Sequence, residues 1–301
     1  MAVFRPAGRR LWRAIRHRRA WVRSKIVYHR GPKTLVGARE PIFICGTGGS
    51  GTRAVAALLR ELDCFIGGNL NLAMDSRDMG AFQRAWLGLY LDPSRRSMLE
   101  RTPEPMANAL EQALIRHRSA IAHPGALWAV KNPRSILLLP YLRARFPGMC
   151  VIHVVRDGRD MAFASNKKQF ENFGHLLIPD QDNCGPLPVR LARFWSVTNI
   201  QAASLGAGLM AGHYLRVRLE DLCRDPAGSA AALASWIGND EPDLAAAASV
   251  IRRPPSLGRW RAEDAEVIAE IESAGGLGLE AFGYFDDSHR ESAAITPERP
   301  G

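Results

Sequence analysis

The sequence lacks the features of a membrane-spanning or disulfide-stabilised protein. Its 301 residues contain no apolar run of the roughly 18 residues that a transmembrane helix needs, so we expect no segment to cross a membrane. Only five cysteines are present, an odd number without the spacing of a metal site or a disulfide framework. Such sparse cysteines are typical of a reducing compartment, and the composition predicts a cytoplasmic protein.

The first 33 residues contain no acidic side chain. Eleven of them are Lys or Arg, which leaves 29 basic and 30 acidic side chains in the remainder of the chain. The net charge of +10 therefore belongs to the N-terminus. A nearly neutral body argues against a nucleic-acid-binding face, which needs basic residues spread over a folded surface. We expect no nucleic-acid partner, and any anion site in the body must be local.

Apolar residues recur at helical spacing within this basic segment. They are Leu11, Ile15, Val22 and Ile26. The pattern predicts an amphipathic N-terminal segment over residues 1–37. Two interpretations remain open. In the first, residues 1–33 bind anionic lipid at the inner face of the membrane as a peripheral contact. In the second, the apolar stripe packs on the body of the protein or on a partner.

Short apolar runs alternate with helical patterns from residue 41 onward. The predicted strands are residues 41–45, 126–130, 150–155 and 213–219. Strands separated by helices imply right-handed crossovers and a mostly parallel sheet. The predicted fold class is therefore α/β, a P-loop-like three-layer domain over residues 38–285 with a central sheet flanked by helices. Residues 286–301 are polar and interrupted by proline, which predicts a loose C-terminal tail.

Three polar motifs directly follow predicted strands. They are GTGGSGTR from residue 46, KNPR from residue 131 and RDGRD from residue 156. In a parallel sheet the ligand lies beyond the carboxyl ends of the strands, so we expect one site at one edge of the sheet. Residues 174–188, rich in Gly, Pro, Asp and Asn, are predicted to form a loop near this site.

The first motif is similar to an ATP-binding loop that has lost two signature residues. Gly46 and Gly51 keep the spacing of G-x-x-x-x-G-K-[ST], but Thr52 occupies the lysine position and Arg53 the position of the magnesium ligand. A glycine-rich loop that enters a helix presents backbone N–H groups and the positive end of the helix dipole to an anion. The motif predicts an anion site, with a turn that binds no ligand as the alternative.

The third motif predicts a second anion contact. Arg156 leaves the end of a strand, where a guanidinium can bind phosphate through two parallel hydrogen bonds. Gly158 permits a turn, Asp160 is predicted to cap the following helix, and Ser165 can add a hydroxyl to the same anion. Two anion contacts at one sheet edge indicate a ligand with phosphate-like groups at both ends.

Together these motifs resemble the sulfotransferase family that uses 3′-phosphoadenosine-5′-phosphosulfate (PAPS) as its donor. Five segments occur in the family's order, namely the glycine loop, WAVKNPR, RDGRDMAFAS, LRVRLEDLCRDP and RRPPSLGRW. The resemblance runs from about residue 41 to residue 261. Within the family, this region is similar to bacterial, protein-tyrosine and carbohydrate sulfotransferases. It implies transfer of a sulfonyl group from PAPS to a hydroxyl or amine, without a metal.

The resemblance also implies roles for individual residues. The donor's 5′-phosphosulfate would lie against Gly48, Gly49, Ser50, Gly51, Thr52 and Arg53. The 3′-phosphate would be held by Arg156 and Ser165, and covered by Arg253 and Gly258 of the C-terminal loop. Lys131 would reach the bridging oxygen or the sulfonate oxygens.

Several positions depart from the family's pattern, among them Leu219, Pro255 and Arg259, and two of them bear on catalysis and donor binding. Gly49 stands where members commonly have Lys or Arg, so the cation that stabilises the leaving phosphate would have to come from Arg53 or Lys131. Ala164 stands where members usually have a serine, one residue before Ser165. These departures leave open whether the protein turns over or only binds the nucleotide.

A sulfonyl transfer also needs a base to take the acceptor's proton. The segment after the first helix supplies Asp75 and Asp78, of which Asp75 is the predicted base, with a helix cap as its alternative role. His153 lies within an apolar strand and is predicted to be a buried structural residue.

Two other functions remain open on the sequence. A P-loop kinase or NTPase would require magnesium and a second acidic metal ligand after a strand. A non-catalytic protein that keeps the nucleotide site would be compatible with Gly49 and Ala164. The sequence does not specify the acceptor; a saccharide or lipid-linked glycan would suit a basic N-terminus that binds a membrane.

Overall fold

A computed structural model of the protein describes residues 34–121, 123–209 and 212–285. The predicted basic helix within residues 1–33 and the predicted tail over residues 286–301 lie outside the described residues. None of the helices in the described ranges combines the length and the apolar character that crossing a membrane would need.

Four parallel strands form the centre of the domain. They are β1 (Ile42–Cys45), β2 (Ala129–Lys131), β3 (Cys150–Val155) and β4 (Tyr214–Arg218), in the order β2-β1-β3-β4. The central strand β1 pairs with both β2 and β3, and Ile42 is opposite Ala129 on one side and Cys150 on the other. The four predicted strands and the parallel sheet are therefore confirmed.

Twelve α-helices occur in the described residues. They are α1 (Thr52–Glu61), α2 (Arg77–Leu91), α3 (Pro93–Arg101), α4 (Glu104–His117), α5 (Leu139–Arg145), α6 (Gly158–Ala162), α7 (Lys168–Leu177), α8 (Leu187–Leu209), α9 (Leu219–Arg224), α10 (Pro226–Ile237), α11 (Leu244–Ser249) and α12 (Ala265–Ala281). Short 3₁₀ helices cover Pro133–Leu138 and Arg259–Ala262.

Alternating residues of the strands face two separate hydrophobic cores. Phe43 and Cys45 of β1 pack with side chains of α2 and α4 on one face of the sheet. Ile42 and Ile44 pack with side chains of α1 and α10 on the other face. Because successive side chains of a strand point to opposite faces, helices on both sides are needed to bury them. The three-layer α/β fold predicted from the sequence is confirmed.

The prediction of a loop over residues 174–188 is wrong at both ends. Helix α7 extends to Leu177 and α8 begins at Leu187. Phe170 and Phe173 are buried on one face of α7, and the ring of Phe170 occupies the space beside Gly174. Burial of this apolar face stabilises the helix, so the helix continues past Gly174. The composition of the segment alone predicted a loop from that glycine onward.

His153 of β3 is fully buried, as predicted. Its Nδ1 lies 2.5 Å from the hydroxyl of Tyr214 and its Nε2 lies 2.8 Å from Oδ1 of Asn199. Because an amide oxygen only accepts, Nε2 carries the proton and Nδ1 accepts from the tyrosine. Burial lowers the pKa of His153 to about 4. The imidazole is therefore neutral and structural.

Acidification is expected to destabilise the protein through His153. The unfolded chain protonates this imidazole below its ordinary pKa of 6.5, whereas the folded protein does so only near pH 4. The unfolded state binds more protons in that window, so stability falls as the pH falls, by about 2–3 kcal/mol for this group. Urea unfolding of the wild type and of His153→Gln at pH 7 and pH 4.5 measures the effect. The variant should lose less stability on acidification, and an equal loss would contradict the assignment.

Candidate functional site

The three polar motifs of the sequence follow neighbouring strands. β1 lies between β2 and β3, and the strands end at Cys45, Lys131 and Val155. All three are parallel, so their carboxyl ends bring the glycine loop, the segment after Lys131 and Arg156 to the same edge of the sheet. The expectation of one edge for the three motifs is confirmed.

The glycine loop turns directly into α1. Gly49 and Gly51 have φ angles of +106° and +97°, left-handed values that favour glycine. A Cβ atom at Gly51 would lie 2.6 Å from a methyl carbon of Leu219, so the chain packs too closely there for a side chain. Gly51 caps α1 without a side-chain hydrogen bond, and Thr52 is the buried first residue of the helix. The first N–H groups of α1 can therefore bind an anion.

Two buried hydroxyls of the glycine loop have no hydrogen-bond partner among the described residues. They are Oγ1 of Thr47 and Oγ of Ser50. Buried polar atoms are normally hydrogen-bonded, so unpaired donors within an anion-binding loop fit a ligand with phosphate-like oxygens. Ser50 belongs to the predicted donor-binding set, whereas Thr47 was not predicted although it lies in the same loop.

A segment that leads into α7 lies across the glycine loop. Oε1 of Gln169 accepts from the N–H of Gly48 at 3.2 Å, and its Nε2 donates to the carbonyl of Gly46 at 3.3 Å. Nδ2 of Asn166 would be 2.9 Å from a Cβ atom at Gly48, so a side chain at this position would displace the amide of Asn166. Neither amide was predicted, because their contacts depend on the position of α7.

A cleft of about 620 Å³ opens beside this segment. Gly48, Asp75 and Ser165 all line it, so the structure brings these three predicted residues to one surface. Ser165 is exposed, one residue beyond the buried Ala164.

Lys131 and Asp75 form an ion pair at the end of β2. Nζ of Lys131 lies 2.5 Å from Oδ1 of Asp75 and donates to the carbonyl of Ala73 at 3.0 Å. The lysine side chain is 3% exposed and the carboxylate 25%, so the carboxylate is the partner that reaches the cleft. Burial lowers the pKa of Lys131, the charge of Arg53 adds to this effect, and Asp75 opposes it. The sequence predicted both residues but not their contact.

A tight turn holds Asp75 in place. Oδ1 of Asn71 accepts from the N–H groups of Ala73 and Asp75 at 2.9 Å, and its Nδ2 donates to Oδ2 of Asp75 at 3.0 Å. The cap of α2 is Ser76, whose Oγ accepts from the N–H of Met79. The alternative role of Asp75 as a helix cap is therefore wrong.

The second carboxylate of this segment serves the structure. Asp78 is buried and accepts from Nδ2 of Asn69, and its Oδ1 lies 3.6 Å from Nε of Arg116. Burial raises the pKa of Asp78, against the effect of these partners. Its contacts turn it away from the Lys131 pair.

His117 connects the turn of Asp75 to the strand of Lys131. Its Nδ1 lies 2.9 Å from Oγ of Ser76 and its Nε2 lies 3.0 Å from the carbonyl of Ala129. Because a carbonyl only accepts, Nε2 carries the proton and Nδ1 accepts from Ser76. No local pattern predicts this contact, because His117 lies 41 positions from Ser76.

Arg156 is buried at the end of β3. Its Nη2 and Nε donate to Oδ2 of Asp160 at 2.8 and 3.2 Å, and its Nη1 donates to Oγ of Ser256 at 3.2 Å. The carboxylate of Asp160 also accepts from the N–H groups of Gly258 at 2.7 Å and Trp260 at 3.2 Å. Asp160 thus joins the strand-end arginine to the C-terminal loop.

The predicted cap role of Asp160 is wrong. Helix α6 is capped by Asp157, whose Oδ1 accepts from the N–H of Arg159 at 2.9 Å. Asp160 lies inside the first turn of α6, four residues after Arg156, where its side chain meets the guanidinium. Pairing of the two buried charges determines its orientation, because a buried charge without a partner is costly.

The other predicted cations lie near these groups. Arg53 is exposed on the first turn of α1, close enough to Lys131 for its charge to lower the pKa of that lysine. Arg253 is exposed in the C-terminal loop. Burial raises the pKa of the Cys223 thiol and the charge of Glu220 adds to the rise, whereas the charges of Arg253 and Arg156 oppose it, so both arginines lie near Cys223. The described ranges contain no cluster of three His, Cys, Asp or Glu side chains arranged to hold a metal.

Several solved structures are similar to this chain. Sulfotransferase STF1 from Mycobacterium tuberculosis is 17% identical over 84% of this chain and 80% of its own, with a TM-score of 0.46. Sulfotransferase STF9 from Mycobacterium avium is 14% identical over 93% and 82%, with a TM-score of 0.49. The sulfotransferase domain of the Synechococcus PCC 7002 olefin synthase is 18% identical over 86% and 91%, with a TM-score of 0.44.

The sequence itself matches a family profile. A search of curated proteins gave no match. The profile of the sulfotransferase family matches residues 41–243, about two thirds of the chain. The matched region begins at the first strand and includes the glycine loop, the Lys131–Asp75 pair and Arg156. On this match, the chain belongs to the sulfotransferase family.

Proposed function

We propose that the protein transfers a sulfonyl group from PAPS to a hydroxyl or amine of an acceptor. The observation that carries the proposal is the Lys131–Asp75 pair, which lies at the same sheet edge as a glycine loop with unpaired buried hydroxyls. A basic and an acidic side chain beside an anion-binding loop are the groups that sulfonyl transfer requires.

The donor would be held by the two anion contacts. The N–H groups of Gly49, Gly51, Thr52 and Arg53, with the hydroxyls of Thr47 and Ser50, would bind the 5′-phosphosulfate. The N–H of Gly48 already donates to Gln169, and that of Ser50 donates to the carbonyl of Thr47. Arg156, Ser165, Arg253 and Gly258 would bind the 3′-phosphate. Ser256 already accepts from Arg156, and Asp160 accepts from both Arg156 and the N–H of Gly258, so a phosphate at this position would compete with these hydrogen bonds.

Asp75 and Lys131 would carry the chemistry between them. PAPS supplies the activated sulfonyl group. Asp75 would accept the proton of the acceptor hydroxyl as the new sulfur–oxygen bond forms. Lys131 would stabilise the negative charge left on the donor phosphate as the old bond breaks. Arg53 would add the cation that Gly49 does not provide.

Binding of the product nucleotide tests the donor. We expect 3′,5′-bisphosphoadenosine (PAP) to raise the melting temperature without magnesium, since ligand at about 100 times its dissociation constant adds about 2.7 kcal/mol of stability. Adenosine 5′-monophosphate, which lacks the 3′-phosphate, should stabilise the protein less. Stabilisation by ATP only in the presence of magnesium would contradict the proposal and favour a kinase. Binding of PAP without transfer to any acceptor would favour a non-catalytic nucleotide-binding protein.

A further inference from the structure

The cleft beside Asp75 is lined by polar side chains. Five of them are amides, namely Asn71, Asn132, Asn166, Gln169 and Asn172. None of the described residues that line the cleft is aromatic, and the only one with a wholly apolar side chain is Pro133. Amides can both donate to and accept from hydroxyl groups. The lining therefore suits a hydroxyl-rich molecule better than an apolar one.

Three N–H donors converge over one glycine at the edge of this cleft. An atom at the Cβ position of Gly80 in α2 would lie 3.6 Å from Nη1 of Arg84, 3.6 Å from Nδ2 of Asn132 and 4.0 Å from Nη2 of Arg134. Asn132 and Arg134 belong to the segment that follows Lys131 and also line the cleft. Because Gly80 has no side chain, a ligand oxygen that approaches Asn132 and Arg134 from the cleft meets no Cβ atom there.

The two guanidinium groups have no carboxylate partner among the described residues. Asp75 is the acidic group whose charge raises the pKa of Arg134, and it is already paired with Lys131. Arg134 is half-buried, and burial lowers its pKa, as does the charge of Arg84. Arg84 is exposed, but its charge still repels the partly buried charge of Arg134 unless an anion joins them.

We propose that Arg84, Asn132 and Arg134 bind an oxyanion of the acceptor beside Gly80, and that the acceptor is an acidic saccharide. The inference rests on the proposed function, which puts the reacting hydroxyl beside Asp75. A guanidinium binds a carboxylate, sulfate or phosphate group through parallel charge-assisted hydrogen bonds. Lys167 and Lys168 line the same cleft, and their two positive charges outnumber that of Glu171, since Asp75 is already paired with Lys131.

Two sugars that differ only in the acidic group test the proposal. The full-length, PAP-loaded protein is titrated by calorimetry with methyl β-D-glucuronide and with methyl β-D-glucoside, at low salt. We expect the glucuronide to bind at least tenfold more tightly. The 6-sulfate and 6-phosphate of the glucoside show which oxyanion is preferred. Equal affinity for the glucuronide and the glucoside, or no binding of any of the four sugars, would overturn the proposal.

Substitutions at Gly80 and Arg134 test whether these donors cause the preference for the glucuronide. Gly80→Ala places a methyl group between the three donors at ordinary contact distance, within a helix that alanine favours, so we expect it to fold. Gly88→Ala is the matched control, since a Cβ atom at Gly88 of the same helix has no other atom within 4 Å. The tenfold preference should be lost in Gly80→Ala and Arg134→Ala and kept in Gly88→Ala. A preference that survives both of the first two changes would contradict the assignment.

The outcome separates this proposal from the proposed function. Wild-type protein that binds PAP but does not distinguish the two sugars would remove only the oxyanion site. Wild-type protein that prefers the glucuronide but does not bind PAP would keep the oxyanion site and remove PAP-dependent transfer. Both variants should bind PAP as the wild type does, because Gly80 and Arg134 lie outside the predicted donor-binding set.

Discussion

Replacement of Lys131 by alanine is expected to lower the rate of sulfonyl transfer about a thousandfold while PAP binding stays nearly unchanged. The ammonium group is enclosed at the end of β2, where an electrostatic interaction is much stronger than in water. A preorganised donor aimed at charge that develops in the transition state contributes about 10²–10³ in kcat. The kcat with PAPS and the melting temperature with PAP measure the two parts of the prediction.

Controls are needed because Lys131 also positions Asp75 and the carbonyl of Ala73. Lys131→Met keeps the length of the side chain without the charge and should be as impaired as the alanine variant. Lys131→Arg keeps the charge and should recover part of the rate. If the methionine variant retains normal turnover, or if the alanine variant loses PAP stabilisation together with activity, the assigned role of Lys131 is wrong.

The strands and the three polar motifs were predictable because their signals are local. Buried parallel strands are continuous apolar runs, and each of the four runs found in the sequence became a strand. A parallel sheet brings the carboxyl ends of its strands to one edge, so the positions of the glycine loop and of Arg156 followed from the predicted topology. The sequence therefore predicted that the three motifs meet at one edge of the sheet.

Contacts between distant segments could not be predicted. Lys131 and Asp75 are separated by 56 positions, and nothing in either motif specifies that they meet. The hydrogen bonds of Gln169 to the glycine loop depend on α7, part of which has the composition of a loop. The convergence of Arg84 and Arg134 over Gly80 depends on the packing of α2 against the segment after β2. Such contacts are determined by tertiary packing, which propensity and spacing do not contain.

Replacement of Asp75 by asparagine is expected to lower kcat by about 10²–10⁴, the usual contribution of a general base. Asparagine has nearly the same shape as aspartate, and it can still accept from Nδ2 of Asn71, but it cannot take a proton from the acceptor. Single-turnover measurements with saturating PAPS report the chemical step directly. Glu171→Gln is the matched control, because Glu171 lines the same cleft and its substitution removes the same charge.

The effect of Asp75→Asn on acceptors of different acidity shows whether Asp75 is the base or only supports the turn. An acceptor with a more acidic hydroxyl, such as a nitrophenol, needs less help in losing its proton than an alcohol does. If Asp75 is the base, the deficit of Asp75→Asn should be large for the alcohol and much smaller for the phenol. A residue that only orients Lys131 through their 2.5 Å contact would give equal deficits with both acceptors. Equal deficits, or a Glu171→Gln variant as impaired as Asp75→Asn, would therefore exclude Asp75 as the base.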